Sequence, residues 1–174
     1  AYVESILNPQ NQDGRAARWG QTNLSSSTEG QDGMALYAAR NLVASGLKSI
    51  FFQDGNSLII KPDDLVRILV HLQKAFPDVA RITSYARSHT IARISDEDLR
   101  RFAESGLNRI HIGMESGSDA VLKKVNKGTD KATQILAGQK IKRAGMELSE
   151  YFMPGLGGRR LSRENARETS DALN

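Results

Sequence analysis

Four short clusters of polar residues and glycine are the places where this chain could do chemistry: Gln53-Asp54-Gly55-Asn56, Ser84-Tyr85-Ala86-Arg87, Glu115-Ser116-Gly117-Ser118 and Pro154-Gly155-Leu156-Gly157-Gly158. Each follows an apolar run. Glycine, aspartate and serine after such a run are ordinary turn formers, so any single cluster reads equally well as a turn. Glu115 and Arg87 are not turn specialists, however, and four clusters in the same relative position point to one shared pocket. What the chain lacks is equally informative. Its 174 residues include no cysteine, which excludes disulfides and thiolate ligation of a metal by these residues. His71, His89 and His111 are far apart and show no metal-ligand spacing, so no zinc site is expected. His111 falls within an apolar run and reads as a packed residue rather than an acid–base catalyst.

The elements that position these clusters alternate strictly. Met34, Leu36, Tyr37, Leu42 and Val43 suit a helix that stops at Ser45-Gly46. LKSIFFQDG is then a strand. Pro62 opens a helix in which Leu65, Val66, Ile68, Leu69, Leu72 and Phe76 mark one face, and Pro77 ends it. VARITSYAR is a strand. Ser95, with Asp98 three residues on, makes a capping-box-like start for DEDLRRFAES. LNRIHIGMESG is a strand, 130–144 a helix, MELSEYFMPGLGG a strand, and Ser162 with Glu164 begins a last helix. A phrase recurs in ASGLKSIFF, ESGLNRIHI and RAGMELSEYF: glycine, an apolar residue, then a strand. The glycine fits the left-handed position that ends a helix.

Four strands, near 48–53, 80–85, 108–113 and 147–152, are therefore predicted to be parallel. A doubly wound sheet and a barrel both fit this alternation. The polar clusters favour the barrel, whose active site lies at the carboxyl ends of its strands. The predicted fold class is α/β, a partial, TIM-like open (β/α) barrel with helices on the outer face only. Gln53, Asp54, Ser84, Arg87, Glu115 and Ser116 are expected at one concave end.

Composition sets the outer limits. Hydrophobic residues are 39% and charged residues 25%, ordinary for a globular domain with its own core. The net charge of +4 is spread along the chain rather than gathered in a block, so nucleic acid is not indicated. No apolar run approaches the roughly 20 residues that span a bilayer, and AYVESIL lacks the plan of a signal peptide. A cytoplasmic protein with no membrane partner is expected. Residues 8–33 are polar, with Trp19 and Leu24 their sizeable apolar groups, which sets 1–32 apart as a leader of unknown role from a barrel domain at 33–174.

In combination, FFQDGNSLIIKPDDL, RITSYARSHTIARIS, GLNRIHIGMESGSDAVLKKVNKG and ELSEYFMPGLGGR closely resemble the middle of radical S-adenosylmethionine (radical SAM) proteins, in that family's order and spacing. The bacterial Fe–S oxidoreductase group is the most similar, near the coproporphyrinogen-oxidase-like and Elongator-protein-3-like branches. The resemblance implies a partial barrel whose first strand leads into a CxxxCxxC loop. The loop's three thiolates hold a [4Fe–4S] cluster, and S-adenosylmethionine chelates the fourth iron and is cleaved to a radical that abstracts hydrogen from substrate. It further implies that Gln53, Asp54 and Gly55 belong to the cofactor-binding motif, with Gly55 letting the backbone approach the methionyl amino group and Asp54 nearby, and that Glu115 and Ser116 face the ribose and methionyl region. Ser84 and Arg87 would line the mouth, with Arg87 on a carboxylate, and Pro154 and Gly155 would flank the adenine. Arg87 paired with Glu115, Asp54 as a turn cap and Lys123-Lys124 through Lys127 as a solvated helix end are the plain alternatives.

The cysteine loop should precede the helix at 34–45, yet nothing there carries a thiol. The resemblance thus covers family strands two to five, and the chain is expected to be a fragment or degenerate relative, inactive alone and without ligands for the cluster. A non-catalytic nucleoside- or S-adenosylmethionine-binding domain is the first alternative. An unrelated barrel enzyme is the second, although Gly155-Leu156-Gly157-Gly158 lacks the ending of a phosphate loop and no strand-end lysine stands out. The substrate is not legible. Exposed barrel edges are expected to drive homo-oligomerisation, with Tyr2, Val3, Ile6 and Leu7 adding a strand and Trp19 plugging the mouth.

Overall fold

The computed structural model describes residues 30–174 apart from 45, 47 and 54. The expected leader strand, Trp19, Leu24 and Asp54 lie outside the described residues. The chain forms two compact units. One holds a helix, α1 (Gly30–Ala44), the start of strand β1 (Ser49–Phe52) and residues 78–80; the other comprises 51–77 and 81–174. Residues 30–32, assigned to the leader from sequence, open α1.

In the larger unit, α2 (Pro62–Ala75) precedes β2 (Arg81–Ala86); α3 (Ser88–Arg93) and α4 (Asp96–Glu104) precede β3 (Leu107–Glu115); α5 (Asp119–Lys124) and α6 (Lys131–Arg143) precede β4 (Glu147–Phe152); and α7 (Gly158–Leu173) ends the chain. The strands form one parallel sheet in sequence order, β1-β2-β3-β4. The three glycines of the recurring phrase, Gly46, Gly106 and Gly145, all have the left-handed backbone expected of them. Ser95 caps α4 as its sequence predicts: its Oγ accepts from Asp98 N at 3.0 Å and donates to the Asp98 carboxylate at 2.8 Å.

Strand β3 shows how the sheet is layered. Ile110, Ile112 and Met114 are buried, whereas Arg109, His111, Gly113 and Glu115 between them are half-buried. The helices pack on the first set. Leu99 and Phe102 of α4 and Ala137, Gly138 and Ile141 of α6 are buried there, and α6 meets Leu148 and Glu150, register partners of Ile110 and Ile112. The second set lines an open face. Ile68, placed on the buried face of α2 by its spacing, is exposed; Leu65 and Leu69 carry that contact alone as fully buried residues. Tyr151, Phe152 and Met153 are also largely exposed. No described helix is long and apolar enough to cross a membrane.

Glu150 sits on the helix-covered side of β4, and burial pushes its carboxyl pKa above the ordinary value of 4.5. The folded pKa therefore exceeds the unfolded one. The stability linked to it is complete below pH 4.5 and is lost as pH rises through the raised value. Glu150→Gln is expected to raise the thermal midpoint at pH 7 and to leave it unchanged below pH 4.5, as paired melting curves would show.

Candidate functional site

Parallel pairing aligns one side chain from each strand across the open face. Tyr85 and His111 are register partners, and Phe51, Tyr85, His111 and Tyr151 form a row of rings. Phe51 meets Tyr85 edge-on at 4.9 Å, and His111 lies 5.5 Å from Phe51, Tyr85 and Tyr151. Such offset and edge contacts are the favoured aromatic geometries. Burial first, and the Arg109 charge second, lower the His111 pKa below 6.5, which favours the neutral ring; its Nδ1 is buried without a hydrogen-bond partner. A hydrogen bond with Tyr85 raises the pKa of Tyr151. Toward the strand N-termini, Arg109 grips Glu147 at 2.5 and 2.6 Å.

Above this row lies the mouth. Gly113 leaves a gap that a Cβ would fill: that atom would stand 3.0 Å from Glu115 Oε1 and 3.2 Å from Lys127 Nζ. The Glu115–Lys127 ion pair, 3.0 Å long, occupies the space over Gly113. Glu115 itself has φ +64, unusual for a residue with a side chain. Ser116 N donates to Met114 O at 2.8 Å, which closes a three-residue turn about Glu115. The β3–β4 register slips between Gly113 and Glu115. A bulge of this kind re-aims a side chain at the strand end. Glu115 O also accepts from Met153 N at 2.8 Å, tying the third cluster to the residue that precedes the fourth.

The first two clusters are joined through Asn56. Its Oδ1 accepts from Arg87 N at 3.1 Å and its Nδ2 donates to Thr90 Oγ1 at 3.1 Å. Gln53 is exposed, with its carbonyl on Ser57 Oγ at 3.1 Å. Gly55 (φ +62) and Gly155 (φ +78) have open space where a side chain would be, so a ligand can approach their backbone. Arg87 and Pro154 are exposed. Arg87 is not the partner of Glu115; Lys127 is.

Two of the named residues face away from the open side. Ser84 is fully buried among the residues facing the helices, one position off Tyr85, with its hydroxyl on Tyr85 O at 3.0 Å. Ser116 is fully buried, its Oγ donating to Asn165 Oδ1 at 2.5 Å. The structure thus brings Gln53, Gly55, Arg87, Glu115, Pro154 and Gly155 to the strand ends and holds Ser84 and Ser116 beneath them. Lys127 was expected to be a solvated helix end. Left-handed turns at Asn126 and Gly128 bring it back over the sheet, and the Asn-Lys-Gly sequence is the signal that could have shown this. Among the described residues no group of three His, Asp or Glu side chains is disposed to hold a metal.

The model of the family described as the radical SAM superfamily matches residues 25–168. The chain belongs to that superfamily. A heme chaperone, HemW, of Lactococcus lactis subsp. lactis (strain IL1403) is 24% identical over 113 residues, which cover 63% of this chain and 30% of the relative. Among solved structures, the cobalamin-dependent S-adenosylmethionine radical enzyme OxsB with aqua-cobalamin superposes with a TM-score of 0.52 at 22% identity over 77% of this chain. The same enzyme with S-adenosylmethionine also bound gives 0.52 at 23%. At that identity the likeness establishes the fold: the four-stranded sheet belongs to a partial TIM-like barrel. The chain spans about a third or less of these relatives, 30% of HemW and 20% of OxsB.

Radical SAM proteins use S-adenosylmethionine and a [4Fe–4S] cluster. The residues of this chain do not fit the cluster, because none is a cysteine. They fit the organic cofactor better: approachable backbone at Gly55 and Gly155, the Glu115 carboxylate, and the exposed Arg87 guanidinium all lie at the strand ends.

Proposed function

We propose that the carboxyl ends of these strands are the S-adenosylmethionine-binding wall of a radical SAM barrel, and that the cluster is held by thiolates that these 174 residues do not supply. The observation carrying this reading is the coexistence of a family match over residues 25–168 with a cysteine count of zero. Glu115 would accept hydrogen bonds from the ribose or ammonium of the cofactor, Gly55 and Gly155 would let it approach the backbone, and Arg87 would take a carboxylate. In this family the bound cofactor supplies a hydrogen-abstracting radical. The chain's own part is to bind and orient it, and the aromatic row below keeps the face apolar.

The test is anaerobic. Incubated with iron, sulfide and reductant and then desalted, the chain is expected to retain no stoichiometric iron and to release no 5′-deoxyadenosine, while calorimetric titration with S-adenosylmethionine shows saturable binding. Stoichiometric iron with reductive cleavage would refute the absence of cluster ligation, and absence of binding would refute the wall. Binding without chemistry even when the cluster thiolates are supplied would favour the non-catalytic alternative.

A further inference from the structure

We propose that Asn165, with Thr169 beside it on α7, is the positioning residue that holds the Glu115 carboxylate at the mouth. Glu115 is the centre of a three-residue turn with φ +64, closed by the Ser116 N to Met114 O hydrogen bond. A turn of this hand is rare and strained, and such strain persists where the surroundings over-determine it. Most of the determinants here come from one helix, α7. Asn165 Oδ1 accepts from Ser116 Oγ at 2.5 Å and from Thr169 Oγ1 at 3.3 Å. Thr169 Oγ1 accepts from Gly117 N at 2.9 Å. Asn165 Nδ2 reaches Met153 O at 3.4 Å, and Met153 N donates to Glu115 O. The two residues that follow Glu115, and the carbonyl of Glu115 itself, are thus tied, directly or through one residue, to Asn165.

These groups are buried: Ser116 is 0% exposed, Asn165 5% and Thr169 7%. A helix needing only to cover the sheet would present apolar side chains there, since buried polar groups contribute little net stability and penalise any broken partner. Gln134 Nε2 on Ser116 O at 2.9 Å and Glu164 on Ser118 Oγ at 2.6 Å complete the network from α6 and α7. The result is a carboxylate whose direction is set 50 residues away in sequence (165 − 115).

The test uses the full chain, labelled for NMR, with Asn165→Ala, Thr169→Val and, as a control distant from the mouth, Leu69→Ala in the core of α2. The backbone coupling constant and Cα shift of Glu115 report its φ without any ligand. Asn165→Ala and Thr169→Val are expected to move Glu115 out of the left-handed region and to weaken S-adenosylmethionine binding about fivefold, the loss of one neutral hydrogen bond. Leu69→Ala, with an equal or greater loss of thermal midpoint, should change neither. Thr169→Val keeps the side-chain shape and serves if Asn165→Ala does not fold. A Glu115 unmoved in the variants overturns the proposal, as does one moved equally by Leu69→Ala. The affinity arm rests on the function proposed above: a wild-type chain that binds no cofactor overturns that function, while the coupling arm still decides this inference.

Discussion

Gly117→Ala is expected to lower the thermal midpoint by roughly 8–24 °C, equivalent to about 4–6 kcal/mol for a chain of this size. A Cβ at residue 117 would stand 2.3 Å from Glu168 O, 2.7 Å from Glu168 C and 2.7 Å from Thr169 Cα. All three are backbone atoms of α7, so no side chain can swing aside and the helix itself must retreat. Retreat breaks the bonds that dock α7: Ser116 to Asn165, Gly117 N to Thr169, Ser118 to Glu164, and the Lys131–Glu168 pair at 2.8 Å. Overpacking alone costs about 1–3 kcal/mol, and each lost neutral hydrogen bond adds about 1 kcal/mol. Gly155→Ala is the comparison. It meets nothing within 4 Å, and only its φ of +78 penalises the new side chain, by about 1–2 kcal/mol. Calorimetry showing the two variants equally stable would mean that α7 yields freely and does not brace the mouth.

The fold was legible because its signals are local and repeated. The three helix-ending glycines, the Ser95 cap and the apolar runs place every described strand to within a residue or two, and the alternation alone implies parallel pairing. Two helices escaped. Ser88–Arg93 and Asp119–Lys124 are too short to show a period, and they are set by tertiary partners: Asn56 bonds Thr90, and Thr129 bonds Ser88. The start of α7 was placed at Ser162, but the helix begins at Gly158, where Gly157 fits tightly between Leu161 and Val121. No side-chain cap marks that end, so sequence patterns pass over it.

The site was legible as a location and not as a set of directions. Ser84 and Tyr85 are adjacent on β2, where Ile82, Thr83, Ser84 and Ala86 are all buried, so no polar alternation distinguishes the two faces. At the end of β3 Ser116 continues the buried set of Ile110, Ile112 and Met114 into the helix layer, bonded to Asn165, although its polar type and its place beside Glu115 suggest the mouth. The partner of Ser116 is Asn165 on α7, and no nearby motif announces it.

The turn at Glu115 yields the second large effect. Glu115→Gly is expected to leave stability within about 1 kcal/mol of the wild type while weakening S-adenosylmethionine binding roughly ten- to hundredfold. Three terms act on stability. Removing a side chain from a left-handed residue relieves about 1–2 kcal/mol. Glycine's extra freedom in the unfolded chain costs about 0.5–1 kcal/mol. The Lys127 pair, with its partners 29% and 25% exposed, is worth about 0–1 kcal/mol. These nearly cancel. Affinity has no such compensation, because a hydrogen bond to a charged group contributes about 1.5–3 kcal/mol and the glycine offers nothing in its place. A stable protein with wild-type affinity would show that the carboxylate is held for the sake of Lys127 alone. Proper folding with lost affinity would show that the strained turn at Glu115 is retained for the ligand.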